Sequence, residues 1–286
     1  MKFISLLKSL AYVIFFCGCV RDEQPAILSS SSLSSYDLWN KKPVVLELPK
    51  ELREISGIVV IDEERLFAHN DELGVVYQVD LHTGSIEKYF SLGKKRNQDD
   101  FEDIAVAVDQ FFLVSSDGKI YRFTEGENNS HVKFELFETG LSARYEVEGL
   151  CFDPDSQSLL LACKGYPGKG FGNARAVYSF SLKNLKLEKK PRFVLLLREL
   201  RDKFGIKKFQ PTGITRNPMT GTFFLLSSNE SSILELSSTG EILGCVRLPT
   251  EIHRQPEGIA FSPDGTLLIS NEGHRHGFVV KYPLKK

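Results

Sequence analysis

Ser56-Gly57-Ile58, Glu102-Asp103-Ile104, Glu148-Gly149-Leu150, Thr212-Gly213-Ile214 and Glu257-Gly258-Ile259 are five copies of one short pattern. Each leads into an apolar run. About ten residues later a second apolar run ends in polar residues, at His69-Asn70-Asp71, Ser115-Ser116-Asp117, Ala162-Cys163-Lys164, Ser227-Ser228-Asn229 and Ser270-Asn271-Glu272. The copies begin 46, 46, 64 and 45 positions apart. A period in the forties built from short strands is the signature of a propeller blade.

The rest of each unit completes a four-stranded blade. A third strand is expected at Val75 to Asp80, Ile120 to Thr124, Ala176 to Ser181, Ser232 to Leu236 and Phe278 to Tyr282, and a fourth at Ser85 to Leu92, His131 to Phe137, Pro191 to Leu197 and Glu241 to Leu248. The last repeat ends without a fourth strand. Val44-Val45-Leu46-Glu47-Leu48-Pro49-Lys50-Glu51-Leu52 resembles Val246-Arg247-Leu248-Pro249-Thr250-Glu251-Ile252, and both run into a copy of the pattern. The N-terminal strand is therefore expected to complete the fifth blade and close the ring, which removes an open sheet edge. The sequence predicts an all-β fold, one five-bladed propeller over residues 43–286. The longer third interval holds a Gly-rich loop, Gly165 to Asn173, and a segment, Leu196 to Lys208, in which Leu196, Leu200 and Phe204 fall on one helical face before Gly205, a helix-ending residue.

Residues 1–19 have the form of a secretory signal: Lys2 and Lys8 precede a short apolar run that reaches Leu10 to Phe16, too short to span a bilayer. It ends in Phe16-Cys17-Gly18-Cys19, which resembles a bacterial lipobox with Cys19 as the acylated residue. Phe stands where Leu is more usual. Residues 20–42 are polar and Ser-rich and are read as a flexible tether, in which Trp39 and Tyr36 could either dock or stay free. The expected location is the bacterial cell envelope, at the outer membrane or cell surface, with the chain a monomer. Of the remaining cysteines, Cys151 and Cys163 lie on one hairpin and could form a disulfide, but two buried thiols suit their apolar neighbours better. Cys245 reads as core.

A net charge of −1 with scattered basic residues, and no nucleic-acid motif, excludes nucleic acid as a partner. The Gly-rich loop lacks the Gly-Lys-Ser/Thr ending of a P-loop. What chemistry there is comes from topology. In a blade, the start of the first strand and the end of the second open on one face near the axis, which collects Glu54, Glu102, Asp103, Glu148 and Glu257 with Asn70, Asp71, Glu72, Asp117, Asn229, Glu230, Asn271 and Glu272. Carboxylates crowded in this way repel one another unless something positive sits among them, and oxygen ligands suit Ca²⁺. The candidate metal ligands are Glu102, Asp103, Glu148, Glu257, Asp71, Asn229 and Asn271, and the candidate ligand-binding cations are Lys164, Lys169 and Arg275. The competing reading is that the acidic residues cap turns and pair with Arg53, Arg144 or Lys164. His274-Arg275-His276 alternates like a metal pair but reads as a solvated loop, and His69 as a hydrogen-bonded structural histidine.

The runs Glu54-Ile55-Ser56-Gly57-Ile58, Phe67-Ala68-His69-Asn70-Asp71-Glu72, Asp100-Phe101-Glu102-Asp103-Ile104-Ala105 and Tyr145-Glu146-Val147-Glu148-Gly149-Leu150 resemble the SdiA-regulated family of bacterial propeller proteins. The resemblance runs from about residue 43 to the C-terminus. It implies a five-bladed propeller, distantly related to NHL-repeat proteins, with bound calcium; the matching motifs carry that metal to Glu102, Asp103 and Glu148. Thr212 departs from the pattern and leaves any ligand ring incomplete there. Two functions are open: a tethered calcium-binding module for a protein, glycan or small ligand, or a calcium-dependent hydrolase of the propeller lactonase, arylesterase or phytase type. Few basic residues face the site to receive phosphates, and such lactonases usually have six blades, so binding is favoured.

Overall fold

A computed structural model describes residues 30–94 and 98–285. The signal segment 1–19 with Cys19, and the first part of the expected tether, 20–29, lie outside the described residues.

Strand β1 (Val44–Glu47) precedes blade 1, which is built from β2 (Ile55–Val60), β3 (Arg65–Asn70), β4 (Val75–Asp80) and β5 (Ile86–Leu92). Blade 2 contains β6 (Phe101–Ala107), β7 (Gln110–Ser115), β8 (Lys119–Phe123) and, after the short β9 (Ser130–Val132), β10 (Phe134–Glu138). Blade 3 contains β11 (Val147–Asp153), β12 (Ser158–Cys163), β13 (Ala174–Ser181), β14 (Lys186–Leu187) and β15 (Phe193–Leu196), and is followed by helix α1 (Leu197–Phe204). Blade 4 is β16 (Pro211–Arg216), β17 (Phe223–Ser227), β18 (Ser232–Leu236) and β19 (Ile242–Arg247). Blade 5 is β20 (Pro256–Phe261), β21 (Leu267–Asn271) and β22 (Phe278–Tyr282). β1 pairs antiparallel with β22, Val45 opposite Val280, so the N-terminal strand supplies the outer strand of blade 5 and closes the ring as expected.

The innermost strands β2, β6, β11, β16 and β20 stand side by side around the axis. Each carries a register shift at its second residue: between Ile55 and Ile58, Phe101 and Asp103, Val147 and Gly149, Pro211 and Gly213, and Pro256 and Ile259. The repeated sequence pattern is thus a β-bulge, which bends the strand and re-aims one side chain. In four of the five strands the residue after it is glycine, because the backbones converge. A Cβ on Gly57 would stand 2.4 Å from Asp103 Oδ1, and one on Gly258 would stand 2.5 Å from the Ser56 carbonyl oxygen.

Between the blades lie separate apolar clusters, one at each interface around the ring. Phe111 of blade 2 meets Phe67 of blade 1 edge-on at 5.0 Å. Helix α1 turns Leu197, Leu200 and Phe204 into the cluster between blades 3 and 4, with Leu196 left in β15. It ends at Gly205 (φ 69°), whose N–H bonds the Arg201 carbonyl.

Two expectations need correction, and the cysteine reading is met. The fourth strand expected over His131 to Phe137 is two strands, because β9 crosses to blade 1 and pairs parallel with β5 while β10 completes blade 2. As expected of buried thiols, Cys151 lies opposite Leu160 and Cys163 opposite Val147, so the two never face each other; with Cys245 they are free and buried. Residues 31–38 are docked rather than flexible. Leu33, Tyr36 and Leu38 are fully buried in the cluster between blades 4 and 5, and Tyr36 packs edge-on against Phe224 at 6.3 Å. The carboxylate of Glu235, fully buried on β18, accepts bonds from Ser31 Oγ (2.6 Å), Ser32 N (2.7 Å), Ser32 Oγ (2.7 Å) and Thr222 Oγ1 (2.7 Å). A buried carboxylate without an ion pair needs such donors, and a Ser-Ser turn supplies them.

Candidate functional site

The bulged residues of the five innermost strands are Ser56, Glu102, Glu148, Thr212 and Glu257. Two of them tie neighbouring strands together: Ser56 Oγ donates to the Glu102 carbonyl at 2.5 Å, and Thr212 Oγ1 to the Pro256 carbonyl at 3.1 Å. The other three are carboxylates, each acting on the others through space. Among the described residues, one cation stands with them. Lys164, at the end of the second strand of blade 3, donates from Nζ to Glu148 Oε1 at 2.9 Å and also acts on Glu102 and Glu257.

Three carboxylates around one ammonium leave an excess of negative charge in a largely dehydrated place, and the carboxyls respond. Glu102 is pushed up to about 9 by burial and then by Glu148, Asp100 and Glu257, against the pull of Lys164. Glu257 rises to about 8 through burial, Glu272 and Glu148. Glu148 also rises, through burial opposed by Lys164. Burial pulls the Lys164 ammonium down, but Glu148, Glu257 and Glu102 hold it above its ordinary value. Farther out, burial followed by Glu54, Glu72 and Asp100 raises Asp71, whose buried Oδ1 has no hydrogen-bond partner among the described residues.

Not every expected ligand reaches this mouth. Asp103 occupies the position that is glycine in the other four strands, and its side chain fills the space there. Its Oδ1 accepts the N–H of Ile104 at 2.8 Å and its Oδ2 that of Leu150 at 2.7 Å. Burial raises its carboxyl, opposed by main-chain bonds from Leu150, Ile104 and Ile214. It is an axial strut, not a free ligand. Asn271 is fully buried: its Oδ1 meets His253 Nδ1 at 3.1 Å, and His253 Nε2 meets the Tyr282 hydroxyl at 2.7 Å. Asn229 is held by Gln210 at 2.6 Å. Lys169 and Arg275 are exposed, so Lys164 is the expected cation that meets the three glutamates. His274 and His276 are exposed on their loop. His69 is buried, with Nδ1 on the Asn70 carbonyl at 2.9 Å and the Gly57 N–H bonding to Nε2 at 3.2 Å; burial lowers it to about 4.

Asp100 belongs to the site and was not among the expected ligands. Its signal was its place two residues before Glu102, and Ser116 Oγ holds it at 2.5 Å. The donor chemistry of the mouth fits a hard cation, and the unbonded Asp71 oxygen adds to that fit. Among the described residues, however, no three His, Cys, Asp or Glu side chains already close around one point. A cation would be met by glutamates that now share Lys164, with water completing its shell.

The model of the SdiA-regulated family matches residues 199–286, from α1 through blades 4 and 5. The chain is similar to the SdiA-regulated family. No curated protein matches it. Among solved structures, it resembles the glutaminyl cyclase of Myxococcus xanthus (TM-score 0.59, 12% identity, covering 86% of this chain and 97% of that one). It also resembles XC5397 of Xanthomonas campestris, described as a gluconolactonase (TM-score 0.54, 13% identity, covering 91% of this chain and 95% of that one). Likeness at this identity extends to the fold alone, and propellers host many chemistries.

Proposed function

We propose that this chain is a membrane-tethered, calcium-binding propeller of the cell envelope that works as a binding module, its cation held at the mouth by Glu102, Glu148 and Glu257. The observation behind this reading is the set of three mutually repelling, largely buried carboxylates that share one lysine. Carboxylate crowding of this kind costs stability unless it serves a ligand, and perturbed carboxyls gather at functional sites. Calcium accepts carboxylate and water oxygens in flexible numbers, which suits a mouth where the glutamates come from three separate blades. When bound, it would supply positive charge to attract an oxygen-rich ligand.

A calcium-dependent hydrolase is the second reading. It draws on the raised Glu102 carboxyl, which would hold a proton near neutral pH and could transfer it at the mouth, and on enzymes sharing the fold, as analogy only. Metal analysis of the purified protein, together with a panel of esters, lactones and phosphoesters, tests both. Stoichiometric calcium without turnover supports the module, turnover that EDTA abolishes supports the hydrolase, and absence of bound or bindable calcium overturns both.

A further inference from the structure

The innermost strands begin at the carboxylate mouth, so the turns that join them to the second strands lie on the opposite face. The docked segment sits there. Asn217 Nδ2, in the β16–β17 turn, donates to Ser32 Oγ at 3.4 Å, and the Tyr36 hydroxyl donates to the carbonyl of Gly265, in the β20–β21 turn, at 3.1 Å. Tyr36 also bridges to Leu284, and the Lys285 N–H bonds the Ser35 carbonyl at 2.8 Å. Ser30, the first described residue, stands at this sector, beside the Ser31–Glu235 clamp.

The same sector exposes large apolar side chains: Met219 at 62%, Trp39 at 39% and Leu284 at 36%. Met219 and Leu284 flank one turn, since a Cβ on Gly265 would meet Leu284 Cδ1 at 3.0 Å and Met219 Cγ at 3.1 Å. Trp39 lies in the adjoining turn, closed by the Asn40 N–H on the Asp37 carbonyl at 3.1 Å. Lys41 and Lys42, two and three residues after Trp39, and Lys285, beside Leu284 with its Nζ on the Ser34 carbonyl at 2.9 Å, are exposed, as are Asp37 and Asp264. Exposed tryptophan and aliphatic side chains with lysines beside them in the chain match the interfacial zone of a bilayer with anionic headgroups. The first turns of blades 1 to 3 instead carry Asp62, Glu63, Glu64, Asp109 and Asp155, which confines such a contact to blades 4 and 5.

We propose that the sector formed by the docked segment and the first turns of blades 4 and 5 is a lipid-contacting surface, which holds the propeller on the membrane with its carboxylate mouth facing away. The inference rests on the tether reading for its approach to the bilayer. Trp39 is the chain's single tryptophan and so reports on the contact directly. Full-length protein from membranes is reconstituted into phosphatidylethanolamine–phosphatidylglycerol vesicles, with and without acyl-chain bromination, and flotation measures retention alongside Trp39 emission.

Retention with strong quenching by brominated lipid, weakened in a Lys41→Glu/Lys42→Glu variant, is the expected result. Retention with unquenched Trp39 overturns the lipid contact while leaving the tether standing. Loss of flotation by the wild type removes the tether reading. In that case vesicles added to Cys19→Ala protein at low salt decide the surface by itself: quenching upholds it, and unchanged emission overturns it.

Discussion

The Asp103 carboxylate on the innermost strand of blade 2 accepts the main-chain N–H of Leu150 on the innermost strand of blade 3, at 2.7 Å, while its other oxygen lies against Gly57 of blade 1. One side chain thus joins three blades where their backbones come closest. Asp103→Ala leaves the Ile104 and Leu150 N–H groups buried without partners, at about 1–3 kcal/mol each. Thermal melting should show a loss of about 2 to 5 kcal/mol, with Asp103→Asn costing less because its amide oxygen still accepts one bond. Wild-type stability in Asp103→Ala would mean that the strut carries no load.

The Ser31–Ser32 clamp makes a second prediction. Removing both hydroxyls in a Ser31→Ala/Ser32→Ala variant strips donors from a buried carboxylate, and denaturant unfolding should register a loss of about 1–3 kcal/mol. A chain starting at residue 42 should melt lower still, since it also loses Leu33, Tyr36 and Leu38 from the core. Melting equal to that of the full chain would show the segment to be a passive tether.

Much of this fold was legible because repetition exposes geometry. Five copies of a bulge announced five innermost strands, and the likeness of Val44–Leu52 to Val246–Ile252 announced the closure. The same repetition held a warning about Asp103. Gly57, Gly149, Gly213 and Gly258 occupy its place in the other strands, and a position that is otherwise glycine is one of close approach rather than ligation. The docking of residues 31–38 was hidden because serine-rich composition reads as linker; its signal was Glu235, a lone charge inside the apolar run Ile233-Leu234-Glu235-Leu236. The crossing of β9 to blade 1 left no trace in the pattern, as parallel pairing across blades has no sequence period of its own.

The carboxyls at the mouth set a pH dependence. Glu102 and Glu257 titrate near 4.5 when unfolded and at about 9 and about 8 when folded. The native state therefore holds protons that the unfolded chain releases, so the stability these groups provide is complete below about pH 4.5 and drains away as pH rises through 8 to 9. Without divalent cation, urea unfolding should show stability falling across that window. Glu102→Gln should flatten the fall and raise stability at pH 8, and an unchanged slope in that variant would show that Glu102 ionises freely.

Calcium-dependent melting of the wild type beside Glu102→Gln, Glu148→Gln and Glu188→Gln tests the cation mouth most directly, since Glu188 lies on the outer part of blade 3. A cation that binds only the folded state adds RT ln(1 + L/Kd), with L its free concentration, or about 2.7 kcal/mol at a hundredfold excess over Kd. Calcium should raise the wild-type Tm, magnesium should raise it less because its octahedral shell is stricter, and EDTA should reverse the rise. The two mouth variants should lose most of the shift while Glu188→Gln keeps it. A wild-type Tm that calcium does not move would contradict the account and leave the three glutamates as partners of Lys164 alone.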